Sequence, residues 1–157
     1  MRRSDREVID LSRVLEIIEG CDCCRLGLVD DGRAYIVPLN FGYEVHGGKL
    51  TLYFHSAREG RKLDLIRATR YASFEMDTAH ELVEAEKACG YSFLYSSVMG
   101  GGSIELIDDC DGKLYALRQI MKHYAGEREF EFDLSLVGRT TIMKLVVDEI
   151  SCKEHRN

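Results

Sequence analysis

The stretch between residues 50 and 67 changes its hydrophobic period midway, and this constrains the fold more than any other part of the chain. Leu50, Leu52 and Phe54 alternate with Thr, Tyr and His, which is the pattern of a half-buried strand. Leu63 and Ile66 then lie three residues apart, which is the spacing of one helix face. The sequence therefore predicts a strand that leads directly into a helix.

The predicted junction between this strand and this helix carries a run of cations. Ser56 and Glu59 have the spacing of a capping box, so the helix is expected to begin just after Ser56. Its free N–H groups and positive dipole end would attract an anion, and Arg58, Arg61 and Lys62 lie in its first two turns. One interpretation is a phosphate held by Ser56, backbone amides and these cations; the other is a capped surface helix with solvated charges.

Length and charge restrict the class of protein. A chain of 157 residues suits a single domain spanning residues 1–157. The formal net charge of −6 argues against a nucleic-acid partner, and no apolar run reaches the roughly 20 residues that span a bilayer. The charged start, residues 1–7, leads into no signal-peptide core, and six cysteines without an export signal fit a reducing compartment. We therefore expect a cytoplasmic protein without a nucleic-acid or membrane partner.

Helix and strand signals alternate along the chain in an order typical of a small, mainly antiparallel barrel with flanking helices. One helix is expected from a cap at Asp10 to a stop at Gly20, and another from Leu114 to Tyr124, ended by Gly126. Between and after them lie several short β-like segments, of which the last covers residues 141–150. Residues 78–91 give no clear pattern, so helix and strand both remain open there.

Turn residues punctuate the predicted strands. Asp30-Asp-Gly32 and His46-Gly-Gly48 are hairpin signals. Pro38 lies inside a strand pattern, and because proline cannot donate to a ladder it indicates an edge, a bulge or a break. Backbone groups at residues 37–40 would then be free to meet a flat polar ligand. Three glycines at residues 100–102 interrupt a later strand and indicate a bulge or another body that approaches the backbone closely.

The cysteine cluster at residues 21–24 suggests metal or thiol chemistry, but a structural zinc site needs four ligands, usually in two spaced pairs. The other three cysteines are single and distant in sequence, which favours ordinary thiols and no metal. Asp108, Asp109 and Asp111 lack the spacing of a calcium loop and are better explained as the acidic start of a helix.

Three segments carry a family resemblance: residues 35–40, residues 54–62 and residues 96–100. Together with the segments at residues 24–29 and 74–77, they resemble the FMN-binding split-barrel superfamily related to pyridoxamine 5′-phosphate oxidase. Within it, the sequence is most similar to the 5-nitroimidazole-resistance (Nim-type) flavin-nucleotide-binding proteins. The resemblance covers about the first three-quarters of the chain in the right order.

This resemblance implies a six-stranded antiparallel Greek-key split barrel that forms a homodimer, with FMN bound in the clefts between protomers. Arg61 and Lys62 match the pair that grips the FMN phosphate, which the end of the preceding strand also touches. Ser97 matches a polar ring contact that comes from the neighbouring subunit. The residues expected to bind the cofactor are Val37, Pro38, Leu39, Asn40, Phe54, His55, Ser56, Arg61, Lys62 and Ser97.

The resemblance also suggests a role for His55. In Nim-type proteins the matching histidine faces the substrate side of the flavin, so His55 is the candidate catalytic proton donor. The alternative is that His55 only hydrogen-bonds the phosphate or the backbone. The chain has no tryptophan and no C-terminal arginine-rich substrate motif, which argues against vitamin B6 oxidation.

Four functions follow from these expectations. The leading one is an FMN-dependent oxidoreductase that passes electrons from NAD(P)H, or another donor, to a small organic acceptor such as a nitroaromatic compound. The second is a flavin or haem carrier or sensor without turnover, because His55 is the only obvious acid or base. Pyridoxamine 5′-phosphate oxidase-like activity and a thiol or metal protein using residues 21–24 are weaker alternatives.

Overall fold

The alternating patterns form eight strands in residues 4–156, which are the residues described by this computed structural model. The first three residues of the charged start and residue 157 lie outside the described residues. The strands are β1 Glu7–Val8, β2 Cys24–Asp30, β3 Arg33–Leu39, β4 Phe41–His46, β5 Lys49–Ala57, β6 Tyr71–Val83, β7 Ser92–Ile107 and β8 Thr140–His155. The helices are α1 Leu11–Glu19, α2 Arg61–Thr69, α3 Cys110–Ala125 and α4 Leu134–Gly138, with 3-10 turns at Ser4–Arg6 and Ala88–Gly90.

The strands form one antiparallel sheet in the order β3-β2-β6-β7-β8-β5-β4, and β1 pairs with β8. Asn40 alone joins β3 to β4, the two ends of this order, so the sheet must curl until its ends meet at that corner. Within residues 4–156 no ladder pairs β3 with β4, and the curled sheet stays open. The predicted mainly antiparallel fold with flanking helices is confirmed, whereas the predicted count of six strands is not.

Two layers of apolar side chains hold the helices on the sheet. The inner face of the curled sheet buries residues such as Leu52 and Phe54, together with Leu63 of α2 and Ile18 of α1. On the outer face α3 packs over Tyr53 of β5. The alternation predicted for β5 is therefore confirmed, because its even-numbered residues face the core and its odd-numbered ones face outward.

Local signals for turns and helix ends are largely confirmed. Asp10 caps α1 by accepting a hydrogen bond from the Arg13 backbone N–H at 3.3 Å, and α3 ends before Gly126. Asp31 and Gly32 both have positive φ, 50° and 74°, which is the type I′ turn that matches the twist of two antiparallel strands. The acidic residues before α3 also cap it as predicted, through the Asp109 carboxylate.

The predicted capping box at Ser56 is wrong. β5 continues through Ser56 to Ala57, and α2 begins only at Arg61, with Gly60 as a cap residue that provides no side-chain hydrogen bond. The reason is long-range, because Ser56 pairs with Thr141 of β8 and the ladder competes successfully with a local cap. The first N–H groups of α2 are consequently left without a side-chain cap.

The region that gave no clear pattern is strand as far as Val83 and continues as loop with a 3-10 turn. β6 extends to Val83 through a register shift between Thr78 and Glu81, where Ala79 takes a φ of 57°. The predicted glycine bulge is confirmed by a register shift between Gly101 and Gly102 of β7.

Candidate functional site

The candidate site lies where the two free edges of the open sheet face each other. β4 pairs with β5 only as far as the Phe41–Phe54 pair, so residues 55–57 of β5 extend past β4 with an unpaired edge. Arg61 then returns towards β3, where its guanidinium carbon lies 5.8 Å from the centre of the Tyr35 ring. The Phe41–Phe54 pair holds residues 35–41 and 54–62 together at one end, and the contact between Arg61 and Tyr35 does so at the other. We call this region the seam. It contains every residue predicted to bind the cofactor except Ser97.

β3 contributes backbone polar groups to the seam. In a two-residue hairpin the closing pair, here Asp30 and Arg33, is hydrogen-bonded, and such pairs alternate along the ladder. Ile36 and Pro38 therefore fall in non-hydrogen-bonded pairs, and their backbone groups point to the free edge. Pro38 loses nothing there because its missing N–H would have no ladder partner. Of the three alternatives for Pro38, the edge strand is the one observed.

The side chains of β3 divide between the two faces of the sheet. Val37 and Leu39 are half-buried and pack against the inner core, whereas Pro38 is exposed on the outer face. Asn40, the exposed link to β4, lies at the corner of the seam. The ring edge of a flat ligand could therefore meet the β3 backbone, while the side chains of this strand serve mainly to fix its position.

The start of α2 has the features of an anion site. Gly60, with a φ of 141°, leaves the first N–H groups of the helix without a side-chain cap. The Ser56 hydroxyl is buried and has no hydrogen-bond partner among residues 4–156. Lys62 is half-buried and Arg61 is exposed in the first turn. Backbone amides, a free hydroxyl and two cations could together hold a phosphate group.

Arg61 already has protein partners. It forms an ion pair with the Asp30 carboxylate, and its guanidinium lies over the Tyr35 ring. Both partners belong to the β2–β3 hairpin, about thirty residues earlier in the sequence. Neither contact has a signal in the sequence, because no short-range spacing connects a hairpin with a later helix.

The neighbouring residues at the end of β5 that were predicted to bind the same cofactor lie on opposite faces of the strand. His55 is exposed on the outer face, whereas Phe54 and Ser56 are buried on the inner face, and the Phe54 side chain has no accessible surface. An extended strand places neighbouring side chains on opposite sides, so one small ligand group cannot contact His55 and Ser56 from the same face. Ser56 lies on the side of α2, while His55 faces the solvent.

Ser97 lies outside the seam. It belongs to β7, where it pairs with Asp77 and Lys153, and β7 is three strands away from β3. At the usual strand spacing this is roughly 14 Å. The chain by itself therefore does not bring Ser97 to the seam.

The outer face that carries Ser97 has an apolar groove with charged margins. The groove has a volume of about 660 Å³, and Ile36, Met99 and Ile150 along it are 65%, 45% and 42% exposed. Arg25 at its margin donates to Glu75 at 2.9 Å and to Asp77 at 2.5 Å, and these hydrogen bonds, that of Asp77 first, raise the pKa of Arg25. No motif predicted this groove, although apolar residues on the polar side of an alternating pattern are a signal for it in the sequence.

Buried thiols lie elsewhere, beneath α1. Burial raises the pKa of Cys21 to about 12 and that of Cys152 to about 11, and it also raises that of Cys24. Thiols that stay protonated are poor nucleophiles and poor metal ligands. In the described part of the chain, no group of three or more His, Cys, Asp or Glu side chains could hold a metal ion. No helix there combines the length and apolarity needed to cross a bilayer.

Comparisons with known proteins place this geometry in a family. The family profile described as pyridoxamine 5′-phosphate oxidase matches residues 10–154. The crystal structure of a proposed 5-nitroimidazole antibiotic resistance protein from Bacteroides thetaiotaomicron has 34% sequence identity and a TM-score of 0.82, over 94% of this chain and 86% of that one. No curated protein matches the chain significantly.

Two more distant structures share the fold. The flavocytochrome Anf3 from Azotobacter vinelandii has 22% identity and a TM-score of 0.81, over 100% of this chain and 72% of that one. An FAD- and haem-binding protein from Mycobacterium smegmatis has 21% identity and a TM-score of 0.80, over 97% and 74%. The resemblance found in the sequence is confirmed: the chain belongs to the pyridoxamine 5′-phosphate oxidase family.

Proposed function

We propose that the seam binds flavin mononucleotide and that the protein is a flavin-dependent oxidoreductase. The observation that carries this proposal is the start of α2, where N–H groups without a side-chain cap, Arg61 and Lys62 follow a buried Ser56 hydroxyl that has no hydrogen-bond partner within residues 4–156. A phosphate monoester with its two negative charges suits these donors. Neighbours with this fold, a flavocytochrome and an FAD- and haem-binding protein, support a flavin, and we propose FMN because its one phosphate monoester suits an anion site at a single helix start.

The remaining seam residues would hold the ring system. Free backbone groups of Ile36 and of Pro38, of which only Pro38 belongs to the predicted segment Val37 to Asn40, would meet the polar edge of the isoalloxazine. Such main-chain contacts orient a flat ring without placing a titratable side chain against it. When bound, the flavin supplies the redox chemistry, and the protein orients it and tunes its electronics.

His55 is the residue proposed to move a proton. It is the only histidine of the seam, and its exposed position on the outer face lets the imidazole exchange protons with solvent. An imidazolium there would donate a proton to an oxygen of the reduced acceptor. We propose a small organic acceptor, with a nitroaromatic compound as one candidate, and NAD(P)H as one candidate electron donor.

We further propose that the protein is a homodimer that closes the seam. The apolar centre and charged margins of the outer groove are typical of a protein interface. A second copy seated there would bring its own outer face, which carries Ser97, towards the flavin ring. Met99→Glu is expected to give a monomer by analytical ultracentrifugation, while Leu134→Glu, at an exposed apolar position on α4, leaves the dimer intact. A wild-type monomer with full flavin occupancy would contradict the dimer.

One experiment tests the proposed function. Purified protein is titrated with FMN and with riboflavin, and the flavin complex is then mixed anaerobically with NAD(P)H. We expect FMN to bind more tightly than riboflavin, and the flavin absorbance to bleach and to return on addition of a nitroarene or a quinone. Protein that ignores added FMN would refute flavin binding altogether.

A carrier or sensor of flavin or haem without turnover is the second candidate. The observation that favours it is the scarcity of acid and base groups in the seam, where His55 is the only histidine. In that case FMN binds but NAD(P)H leaves the flavin absorbance unchanged, so the same experiment distinguishes the two functions.

A further inference from the structure

We propose that Asp30 is a built-in competitor for the phosphate: its carboxylate occupies Arg61 while the site is empty and is displaced when a phosphate-bearing ligand binds. This inference rests on the proposed function, since it concerns the same anion site. It assigns a specificity-determining role to a residue whose only signal in the sequence was a hairpin turn.

The two side chains of the Arg61–Asp30 ion pair differ in their exposure and freedom to move. The Asp30 side chain is 20% exposed and sits at the closing pair of the β2–β3 hairpin, whereas the Arg61 side chain is 66% exposed. Asp30 is therefore fixed by its strand, and Arg61 is the partner that can move. The Tyr35 ring, 5.8 Å from the guanidinium carbon, holds Arg61 on the same hairpin.

The start of α2 has more hydrogen-bond donors and positive charge for an anion than Asp30 can contact. The ion pair draws one terminal nitrogen of Arg61 towards the hairpin, so Arg61 must leave Asp30 before its guanidinium presents its N–H donors to an anion at the helix start. A phosphate at the helix start would also meet Ser56, Lys62 and the uncapped amides. It carries about 1.5 to 2 negative charges against one on Asp30, so it is the stronger partner for the shared arginine.

The charge of Asp30 is expected to weaken the binding of phosphate-bearing ligands. An ion pair this exposed is weak, so displacing it is possible but not free. Asp30 also repels a phosphate that binds beside it. Removing its charge should therefore tighten the binding of phosphate-bearing ligands and leave a phosphate-free ligand unaffected.

The test compares Asp30→Asn with the wild type at low ionic strength, where an exposed charge has most effect. Asp31→Asn is the matched control, because it removes the same charge one residue away at a position with no ion pair within residues 4–156. Asparagine also tolerates the positive φ of Asp31. We expect Asp30→Asn to bind FMN roughly two- to five-fold more tightly, a difference of about 0.4–1 kcal/mol that lies within the range of an exposed ion pair. Riboflavin binding should stay the same in all three proteins, and Asp31→Asn should match the wild type.

Three results would overturn the proposal: unchanged or weaker FMN binding by Asp30→Asn, an equal gain in Asp31→Asn, or an equal gain for riboflavin. Asp30→Ser is a second variant with the same expected direction, should Asp30→Asn fold poorly. Inorganic phosphate provides a readout that does not need flavin. It should raise the thermal unfolding midpoint of Asp30→Asn more than that of the wild type, and equal or absent shifts count against the proposal. Failure of every protein to bind FMN refutes the proposed function, and the phosphate result still decides the role of Asp30.

Discussion

At the scale of single residues, the two cations that begin α2 have different surroundings. Arg61 is paired with Asp30, whereas Lys62 is half-buried and has no ion pair within the described residues. We expect Arg61→Ala and Lys62→Ala each to weaken FMN binding by about 1–3 kcal/mol, the usual loss for a charge-assisted hydrogen bond. Arg61→Ala should have the smaller effect because wild-type Arg61 must first leave Asp30. Flavin fluorescence titration measures both.

Arg67→Ala is the control for these variants. Arg67 lies on the same helix, is exposed and pairs with Asp64 at 3.0 Å, away from the helix start. Its removal changes the net charge equally but should leave FMN binding unchanged. If Arg67→Ala weakens binding as much as the other two variants, the phosphate is not held at the start of α2.

His55 can be separated from the phosphate site by the same kind of comparison. Because His55 and Ser56 point to opposite faces of β5, we expect His55→Gln to retain FMN binding. Turnover of a nitroarene should fall roughly 100-fold or more, which is typical for loss of a positioned proton donor. His46→Gln, at the exposed far end of the β4–β5 hairpin, should keep full turnover. Loss of FMN binding in His55→Gln would instead favour a phosphate or backbone contact for this residue.

At the scale of elements, the helix ends and turns that depend on neighbouring residues could be predicted from the sequence. The cap at Asp10, the stop at Gly126 and the Asp31-Gly32 turn depend on a few consecutive residues, and all three are observed. The cap predicted at Ser56 failed because pairing with Thr141, 85 residues away, decided the outcome. The Arg61–Asp30 pair was not predictable for the same reason, since it appears only when the sheet curls and brings α2 to the β2–β3 hairpin.

The contact between α3 and β4 depends on a missing side chain. A Cβ atom at Gly42 would lie 2.3 Å from the Ile120 backbone nitrogen and 2.4 Å from the Gln119 carbonyl carbon, so α3 would have to move. We expect Gly42→Ala to lower the free energy of unfolding by about 1–3 kcal/mol, as overpacking does elsewhere. Urea denaturation measures the change.

Gly27→Ala is the control for this variant, because a Cβ atom at Gly27 meets no atom closer than 3.6 Å. It should change the free energy of unfolding by less than about 0.5 kcal/mol. Equal losses in both variants would show that the α3 contact is not the cause.

At the scale of the whole molecule, three buried thiols make stability sensitive to alkaline pH. Burial raises the pKa of Cys21 to about 12 and that of Cys152 to about 11, and it raises that of Cys24 in the same direction. Between the ordinary thiol pKa of about 8.5 and these values, the native state holds protons that the unfolded chain releases. Stability is therefore complete below about pH 8.5 and is lost as pH rises towards 11. The urea midpoint should be constant from pH 7 to 8 and lower at pH 10.

Replacing one thiol tests the cause of this loss. Cys152→Ala should reduce the difference between the midpoints at pH 8 and pH 10, whereas Cys89→Ala, at an exposed position, should leave it unchanged. Half-buried Tyr43 and buried Tyr53 also have raised pKa values, through desolvation first, and add to the loss only above about pH 10. A midpoint that does not change between pH 8 and pH 10 would contradict the prediction.

Asn40 is a one-residue link between β3 and β4, the two end strands of the sheet. The width of the seam is therefore determined by the length of this link as well as by side-chain chemistry. Adding or deleting a residue at this corner would slide β3 along its own axis relative to β5, and with it the whole row of main-chain contacts offered to a ring. A relative that differs in length at this point would therefore have a seam of different width on the same scaffold.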